Sequence, residues 1–307
     1  MDIMNKNMIV SVIIPTYGKP DFLSAAIDSV LNQSLPANEI IVVDDNGMGT
    51  ENQKLTESLI LEKYSEDVIY IALEKNMNGS AARNTGISAA KSKYIALLDD
   101  DDRFLSKKLE LQANVMNDLS EDFKICFSAY IEESPDGYRE ERYCGDLSDS
   151  ALDIFLGSHY IPSSGLMFTK RAWEQVNGFD ESFKRHQDWE FVIRMSGICV
   201  TSKVDEICWI KHMVKRNKVR EPGLYKEYRL HFLNKMDAYI SRYPKKISIR
   251  IHRRHKVDII LEYLKNKEFK LAAKELKDSN GKLMVEMICA VRIMKYFLRR
   301  RWVSKKQ

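Results

Sequence analysis

Tyr94-Ile95-Ala96-Leu97-Leu98 runs straight into Asp99-Asp100-Asp101-Asp102, and no other feature of the chain constrains its fold as much. The apolar residues have the length of a buried strand. Four adjacent carboxylates repel one another and favour a turn over a strand or helix interior. At the end of a buried strand such a cluster is tolerable where a cation neutralises it. Asp oxygens are hard ligands, so Mg²⁺ or Mn²⁺ fits, with water and a substrate diphosphate completing the shell. An isolated acidic run is otherwise a solvated loop. The C-terminal end of a strand, however, is where open α/β sheets bind ligands.

The sequence before this cluster alternates strand and helix patterns. Val10–Pro15, Ile40–Val43 and Val68–Ile71 are β-rich runs. Helical spacing links them over 22–33 and 55–64, and a small-residue helix over 79–90 leads into the strand at 94–98. The second strand also empties into acid, Asp44-Asp45-Asn46-Gly47. This order predicts an α/β fold with a mostly parallel, doubly wound sheet and a ligand across the strand C-termini. Beyond Asp102 the pattern becomes mixed. Helix is expected over 105–116, strand over 124–131, and turn or irregular strand over 138–145. Residues 163–168 read as strand, and a helix opens at His186-Gln187-Asp188-Trp189-Glu190. Residues 211–220 read as a mobile basic loop, followed by helices over 225–243, 245–266, 267–277 and 283–302.

Charge divides the chain. From Lys211 onward there are 28 Lys and Arg against 9 Asp and Glu, whereas the first 210 residues carry 20 against 35. An acidic catalytic part joined to a basic segment that meets an anionic surface fits this asymmetry. The five cysteines show no metal-ligand spacing and read as thiols in a reducing compartment. Neither a signal-peptide plan nor an apolar stretch of about 20 residues is present, so a cytoplasmic protein is expected.

Six fragments in order carry a resemblance: Val10–Tyr17, Ile40–Asn46, Ala81–Gly86, Tyr94–Asp102, Gly178–Glu181 and Gln187–Glu190. Together they resemble the family 2 glycosyltransferases of GT-A fold over roughly residues 9–215. The resemblance implies a catalytic domain over 1–215, its nucleotide-sugar part at about 9–102 and its acceptor part at about 103–215. A helical basic region, 216–307, follows. It also implies inverting transfer of a sugar from a nucleotide diphosphate, with UDP expected, to a saccharide acceptor, lipid-linked, in bacterial surface polysaccharide synthesis. In that pattern Pro15 and Tyr17 border the base, Asp45 accepts a hydrogen bond from a uracil-like ring, and Arg83 approaches base or diphosphate. Asp99 and Asp100 fall to the nucleotide-sugar, Asp101 to the metal with His212 as a second ligand, and Asp102 to a supporting place. Asp188 is the general base. Gly18 stands where Asn is commoner, and Gln187 replaces a frequent Glu.

Plainer roles exist for the same residues. Tyr17 would serve as a turn residue, Arg83 as a surface ion pair, Asp188 as a helix cap, His212 as a structural ring and Trp189 as core. For the basic tail the alternatives are packing with solvated charge or an interfacial helix on an anionic leaflet, with Trp302 at headgroup depth. The membrane reading implies a peripheral location on the inner face of the cell membrane. Two rival functions are weaker. A metal-dependent nucleotidyltransferase would need a Gly-rich phosphate loop, which the sequence lacks. Nucleic-acid binding would bring aromatics interleaved with the basic charge, and none are found.

Overall fold

The structure, a computed structural model, describes residues 9–18, 20–158, 161–213 and 222–278. They divide into two compact units, one within Met1–Arg216 and one within Asn217–Gln307.

In the first unit, strands and helices alternate as β1 (Val10–Thr16), α1 (Leu23–Leu31), β2 (Glu39–Asp44), α2 (Glu51–Lys63), β3 (Val68–Ala72), α3 (Gly79–Ala89) and β4 (Tyr94–Leu97). Buried Val, Ile and Leu along β1, β2 and β4 face helices on both sides, which is why these strands are continuously apolar. There follow β5 (Arg103–Phe104), α4 (Lys108–Asn117), β6 (Lys124–Glu133), β7 (Arg139–Arg142) and α5 (Ser150–Leu156). A single 3₁₀ turn (Ser163–Gly165), β8 (Met167–Thr169), α6 (Lys170–Gln175), α7 (Gln187–Ser196) and β9 (Val200–His212) complete the unit. The sheet order is β3-β2-β1-β4-β8-β6-β9-β5, with β7 beside β6. The strands β3, β2, β1 and β4 are mutually parallel. The sheet then turns mixed, because β8 is antiparallel to both β4 and β6. The C-terminal ends of β1, β2 and β4 therefore open on one edge, and β8 returns the chain beside them.

Several elements differ from the sequence reading. The second helix begins at Glu51 rather than 55, since Thr50 accepts from the Gln53 N–H while Gln53 accepts from the Gly49 N–H, a reciprocal cap that the apolar spacing does not reveal. Residues 163–168 are a 3₁₀ turn leading into a short strand, so only their second half pairs. Lys211 and His212 belong to β9, paired with Glu132 and Glu133 of β6, and not to a loop. Of the expected 211–220 loop, residues 214–220 lie outside the described residues, as does the helix expected over 283–302.

The second unit comprises α8 (Pro222–Lys235), α9 (Asp237–Ile240), α10 (Lys245–Lys265) and α11 (Phe269–Lys277). The expected 225–243 helix is thus split at Met236. Val257, Ile260 and Tyr263 of α10 pack with Ala272 of α11. Arg229 of α8 pairs with Asp258 of α10 at 3.2 Å, and Lys226 with Glu275 of α11.

One close approach in the first unit fixes the placement of α3. A Cβ on Gly86 would lie 2.5 Å from Ile13 Cγ2 and 3.0 Å from Val43 Cγ2. Only a residue without a side chain lets α3 lie flat on β1 and β2. Overpacking of this kind costs about 1–3 kcal/mol. Gly86→Ala is expected to lower the melting temperature by several degrees, read by calorimetry; an unchanged transition would mean that α3 can lift without cost.

Candidate functional site

β1 ends in Thr16, whose hydroxyl donates to Asp100 Oδ2 at 2.7 Å and so ties the ends of β1 and β4 together. Pro15 is half-buried within β1 opposite Val43, and Tyr17 stands out from the strand end, 61% exposed. Gly18 has φ +89°, a conformation costly for Asn, and its N–H donates to Asn46 Oδ1 at 2.7 Å. The departure from the commoner Asn is therefore compensated within the turn, because Asn46 supplies the amide that holds it.

At the end of β2 the two acids have separate roles. Asp44 accepts from the Asn46 N–H and the Tyr70 hydroxyl, both at 2.8 Å. Asp45 accepts from the N–H groups of Met77 (2.6 Å) and Asn78 (2.9 Å) and from Asn76 Nδ2 (2.9 Å). It thereby pins the loop that starts α3. Burial pushes the Asp45 carboxyl above its ordinary value, against the pull of those two backbone donors.

Arg83 is the hub. It lies on α3, nearly buried, and its Nη2 reaches Asp99 Oδ1 at 2.6 Å and Ser163 Oγ at 3.2 Å. Its Nη1 donates to Gln187 Oε1 at 3.1 Å. It is not a surface ion pair. The next residue, Asn84, clamps the Gly178–Glu181 turn by donating to Phe179 O and Glu181 Oε1 and accepting from the Phe179 N–H. Arg194 of α7 holds the same turn through the Val176 and Gly178 carbonyls. The start of α7, with Asp188 in its first turn, is thus fastened to α3.

The four aspartates after β4 diverge. Asp99 pairs with Arg83, and Asp100 with Thr16. Asp101 is half-exposed. Asp102 is buried, accepting from Ser164 Oγ at 2.6 Å and from the His212 N–H at 3.1 Å. Ser164 in turn accepts from the Asp99 N–H at 3.0 Å. Burial drives the Asp102 carboxyl well above its ordinary pKa, reinforced by Asp99 and Asp101 and opposed by Lys211 and Ser164. Asp188 is half-buried, and its pKa is raised by desolvation, with Asp99 adding to the shift and Lys211 and Arg83 opposing it. It does not cap α7: His186 occupies that place without a side-chain cap, and Asp188 Oδ1 accepts from the adjoining Trp189 N–H at 3.0 Å. Trp189 is half-buried and stacks on His186.

His212, the second metal ligand that the resemblance implies, is engaged with protein neighbours. Its Nε2 lies 3.0 Å from Glu133 Oε2 and also meets Arg103 Nη2, while the ring bonds the Asp101 backbone. Burial and the Arg103 charge lower the ring's pKa, against the pull of the Asp101 backbone and the Glu133 carboxylate. Both ring nitrogens are engaged, so His212 serves as a strut at the end of β9. Among the described residues no group of three or more His, Cys, Asp or Glu side chains is arranged to hold a metal alone. The carboxylate donors fit a hard divalent cation only if a diphosphate supplies much of its shell.

Asp45, Arg83, Asp99, Asp102 and Asp188 are thus brought into one connected site. Lys211 was missed as part of it, having been read as loop. Its strand neighbours Ile207–Ile210 are the signal that could have extended β9 through it. Asn76 and Asn78 were missed too, since an Asn-rich loop carries no periodicity.

Residues 11–193 match the family described as glycosyl transferase family 2. An uncharacterized glycosyltransferase of Methanocaldococcus jannaschii is 29% identical over 239 residues, 74% of this chain and 80% of its own. The amylovoran biosynthesis glycosyltransferase AmsB of Erwinia amylovora is 27% identical over 245 residues, 77% and 80% of the two chains. The putative teichuronic acid biosynthesis glycosyltransferase TuaG of Bacillus subtilis is 35% identical over 172 residues, 56% and 66% of the two. Among solved structures, S. aureus TarS 1-349 in complex with UDP-GlcNAc aligns with a TM-score of 0.57 at 16% identity, over 83% of this chain and 81% of that one. At that identity the likeness establishes the fold, which is GT-A.

The Asp102 contacts generate a stability test. Asp102→Ala strands the partly buried His212 N–H and the buried Ser164 hydroxyl, at a cost of about 2–4 kcal/mol. Asp102→Asn keeps an acceptor for His212 and sheds the buried charge, so it is expected to cost about 1 kcal/mol or less. Urea denaturation separates the two; equal losses would mean that the charge, and not the hydrogen bonding, is what the fold requires.

Proposed function

The chain belongs to glycosyl transferase family 2, and from that premise we propose that this glycosyltransferase moves a sugar from a UDP-sugar donor to a lipid-linked saccharide with inversion, in surface polysaccharide synthesis. The observation that carries the reading is the hydrogen-bonded and electrostatic link between Asp99 at the end of β4 and Asp188 on α7, made through Arg83. Exposed Tyr17 is suited to stack on a base, with half-buried Pro15 at its edge. Asp45, already holding the 76–78 loop, keeps acceptor capacity for a uracil ring N–H. Asp99 and Asp100 line the sugar-phosphate side, and Arg83 brings positive charge to the diphosphate.

In this reading Asp188 takes the proton of an acceptor hydroxyl as that oxygen attacks the anomeric carbon. The bond to the nucleoside diphosphate breaks on the opposite side. A carboxylate doing this must lie within about 3 Å of the hydroxyl and contributes about 10²–10⁴-fold. Asp101 would hold Mg²⁺ or Mn²⁺ jointly with the donor diphosphate, and such a cation stabilises charge gathering on the leaving group. Lys211 and Arg83 supply fixed positive charge at the same place. The amylovoran and teichuronic acid names of two relatives support a polysaccharide product, and a UDP-GlcNAc complex of a chain of the same fold supports the nucleotide.

A panel of UDP-sugars with Mn²⁺ tests the donor. A bound donor at 100 times its Kd stabilises by about 2.7 kcal/mol, a readily measured thermal shift; no shift with any member would overturn the UDP assignment. Asp188→Asn is expected to keep donor affinity within about threefold while transfer falls at least about 100-fold. Because desolvation raises the Asp188 pKa, the acid limb of turnover should lie above the ordinary aspartate range, with activity lost as pH falls through it. Normal turnover in this variant would assign the base elsewhere.

The second unit supports an anionic membrane leaflet as partner. Residues 238–257 contain seven Lys and Arg and no Asp or Glu. Lys245, Lys246 and Arg250 are exposed on the first turns of α10 around Ile249, which is 44% exposed. No helix among the described residues is long and apolar enough to cross a membrane, so contact there would be interfacial. Each basic residue near an anionic surface adds about 1 kcal/mol. Reversing all three charges to Glu should cut sedimentation with phosphatidylglycerol vesicles at least about tenfold, leaving phosphatidylcholine vesicles unbound throughout. Equal sedimentation would remove this face as the contact.

A further inference from the structure

The Gln187 side chain is used as both donor and acceptor. Its Oε1 accepts from Arg83 Nη1 at 3.1 Å. Its Nε2 donates to the Phe183 carbonyl at 2.8 Å and, more weakly, to Asn78 Oδ1 at 3.4 Å. A guanidinium only donates and a carbonyl only accepts, so the neighbours fix which end of the amide is which. A carboxylate could satisfy Arg83 but would set an anionic oxygen against the Phe183 carbonyl and Asn78 Oδ1. The fit is close: a Cβ on Gly79 would come within 3.0 Å of both Arg83 Nη1 and Gln187 Oε1.

The contacts join two parts of the site. Asp45 holds the Asn78 N–H, Asn78 meets Gln187, Gln187 meets Arg83, and Arg83 reaches Asp99. Asp188 is the next residue along the chain. The charged groups around it are Arg83 from α3, Asp99 from the end of β4 and Lys211 from β9. On its own helix, Glu190 is paired with Arg194. Acid and base around Asp188 are thus nearly balanced, and a further carboxylate at 187 would tip that balance.

We propose that Gln187 is a positioning residue for sugar transfer: its uncharged amide fixes the Arg83 guanidinium on Asp99 and keeps a second carboxylate away from Asp188. Arg83 then faces the donor diphosphate with its charge shared by one acid, Asp99, and not two. This rests on the donor and base assignments proposed above.

Two variants separate charge from hydrogen bonding. Gln187→Glu is nearly isosteric and adds the charge; Gln187→Met removes the amide without adding any. With Mn²⁺ present, Gln187→Glu is expected to weaken UDP binding about tenfold by calorimetry. It should also move the acid limb of kcat, measured with the UDP-sugar that stabilises the wild type, up by about half to one pH unit. Gln187→Met should lower kcat while leaving the limb at the wild-type pH. A Gln187→Glu protein matching wild type in both UDP affinity and limb overturns the proposal. So does a Gln187→Met protein whose limb moves as far, since that would mark simple loosening. A wild type that does not bind UDP overturns the donor assignment, and this inference falls with it; a wild type that binds, beside an unaltered Gln187→Glu, overturns the inference alone.

Discussion

A carboxylate buried away from solvent holds the candidate-site edge of the sheet together. Asp102 takes hydrogen bonds from the Ser164 hydroxyl and the His212 N–H, so one side chain joins the end of β4, the turn before β8 and the end of β9. Its ionised form is disfavoured by burial, yet two donors in a low-dielectric setting strengthen one another and define a single arrangement. Ser164 passes the constraint on to the Asp99 backbone. Asp99 then stands at a fixed height for Arg83, and Arg83 for Gln187 and the start of α7. Without that anchor the four aspartates would be a repelling acidic loop.

The acidic run is thus resolved by division of labour. Asp100 is spent on Thr16, Asp102 on Ser164 and His212, and Asp99 on Arg83. Asp101 keeps partial exposure. Repulsion within the run is relieved by turning Asp99, Asp100 and Asp102 to different donors. His212 fits the same logic. Held by Glu133, Arg103 and the Asp101 backbone, it braces β9 against β6 and the acidic turn.

Much of this was legible in the sequence because it follows from period and polarity. Continuous apolar runs marked β1, β2 and β4, and acids at the ends of β2 and β4 marked the edge where the candidate site lies. The Ala-Ala-Arg-Asn-Thr-Gly fragment has a physical reason at three positions: Arg83 for Asp99, Asn84 for the Phe179 turn, Gly86 for close approach to Ile13. What could not be read was set by tertiary partners. Nothing local separates Asp44, bound to Tyr70, from Asp45, bound to the 76–78 loop. Lys211 looked like the start of a basic loop because Lys215, Arg216, Lys218 and Arg220 follow it, and pairing with Glu132 places it on a strand. The metal role expected for His212 came from family pattern, whereas its protein partners, Glu133 of β6, Arg103 of β5 and the Asp101 backbone, come together only in the fold.

Gln187 shows how a departure from a family pattern can carry more information than agreement. Glu at that position would leave two acids side by side at the start of α7, where the helix dipole welcomes both. An amide gives up that dipole benefit at 187 but gains two donated hydrogen bonds and leaves Arg83 less neutralised. With acid and base around Asp188 nearly balanced, one further carboxylate there would matter. Arg83 and Lys211 act on Asp188 against Asp99, and under the proposed reading a neutral side chain at 187 leaves more of that positive charge for an incoming diphosphate.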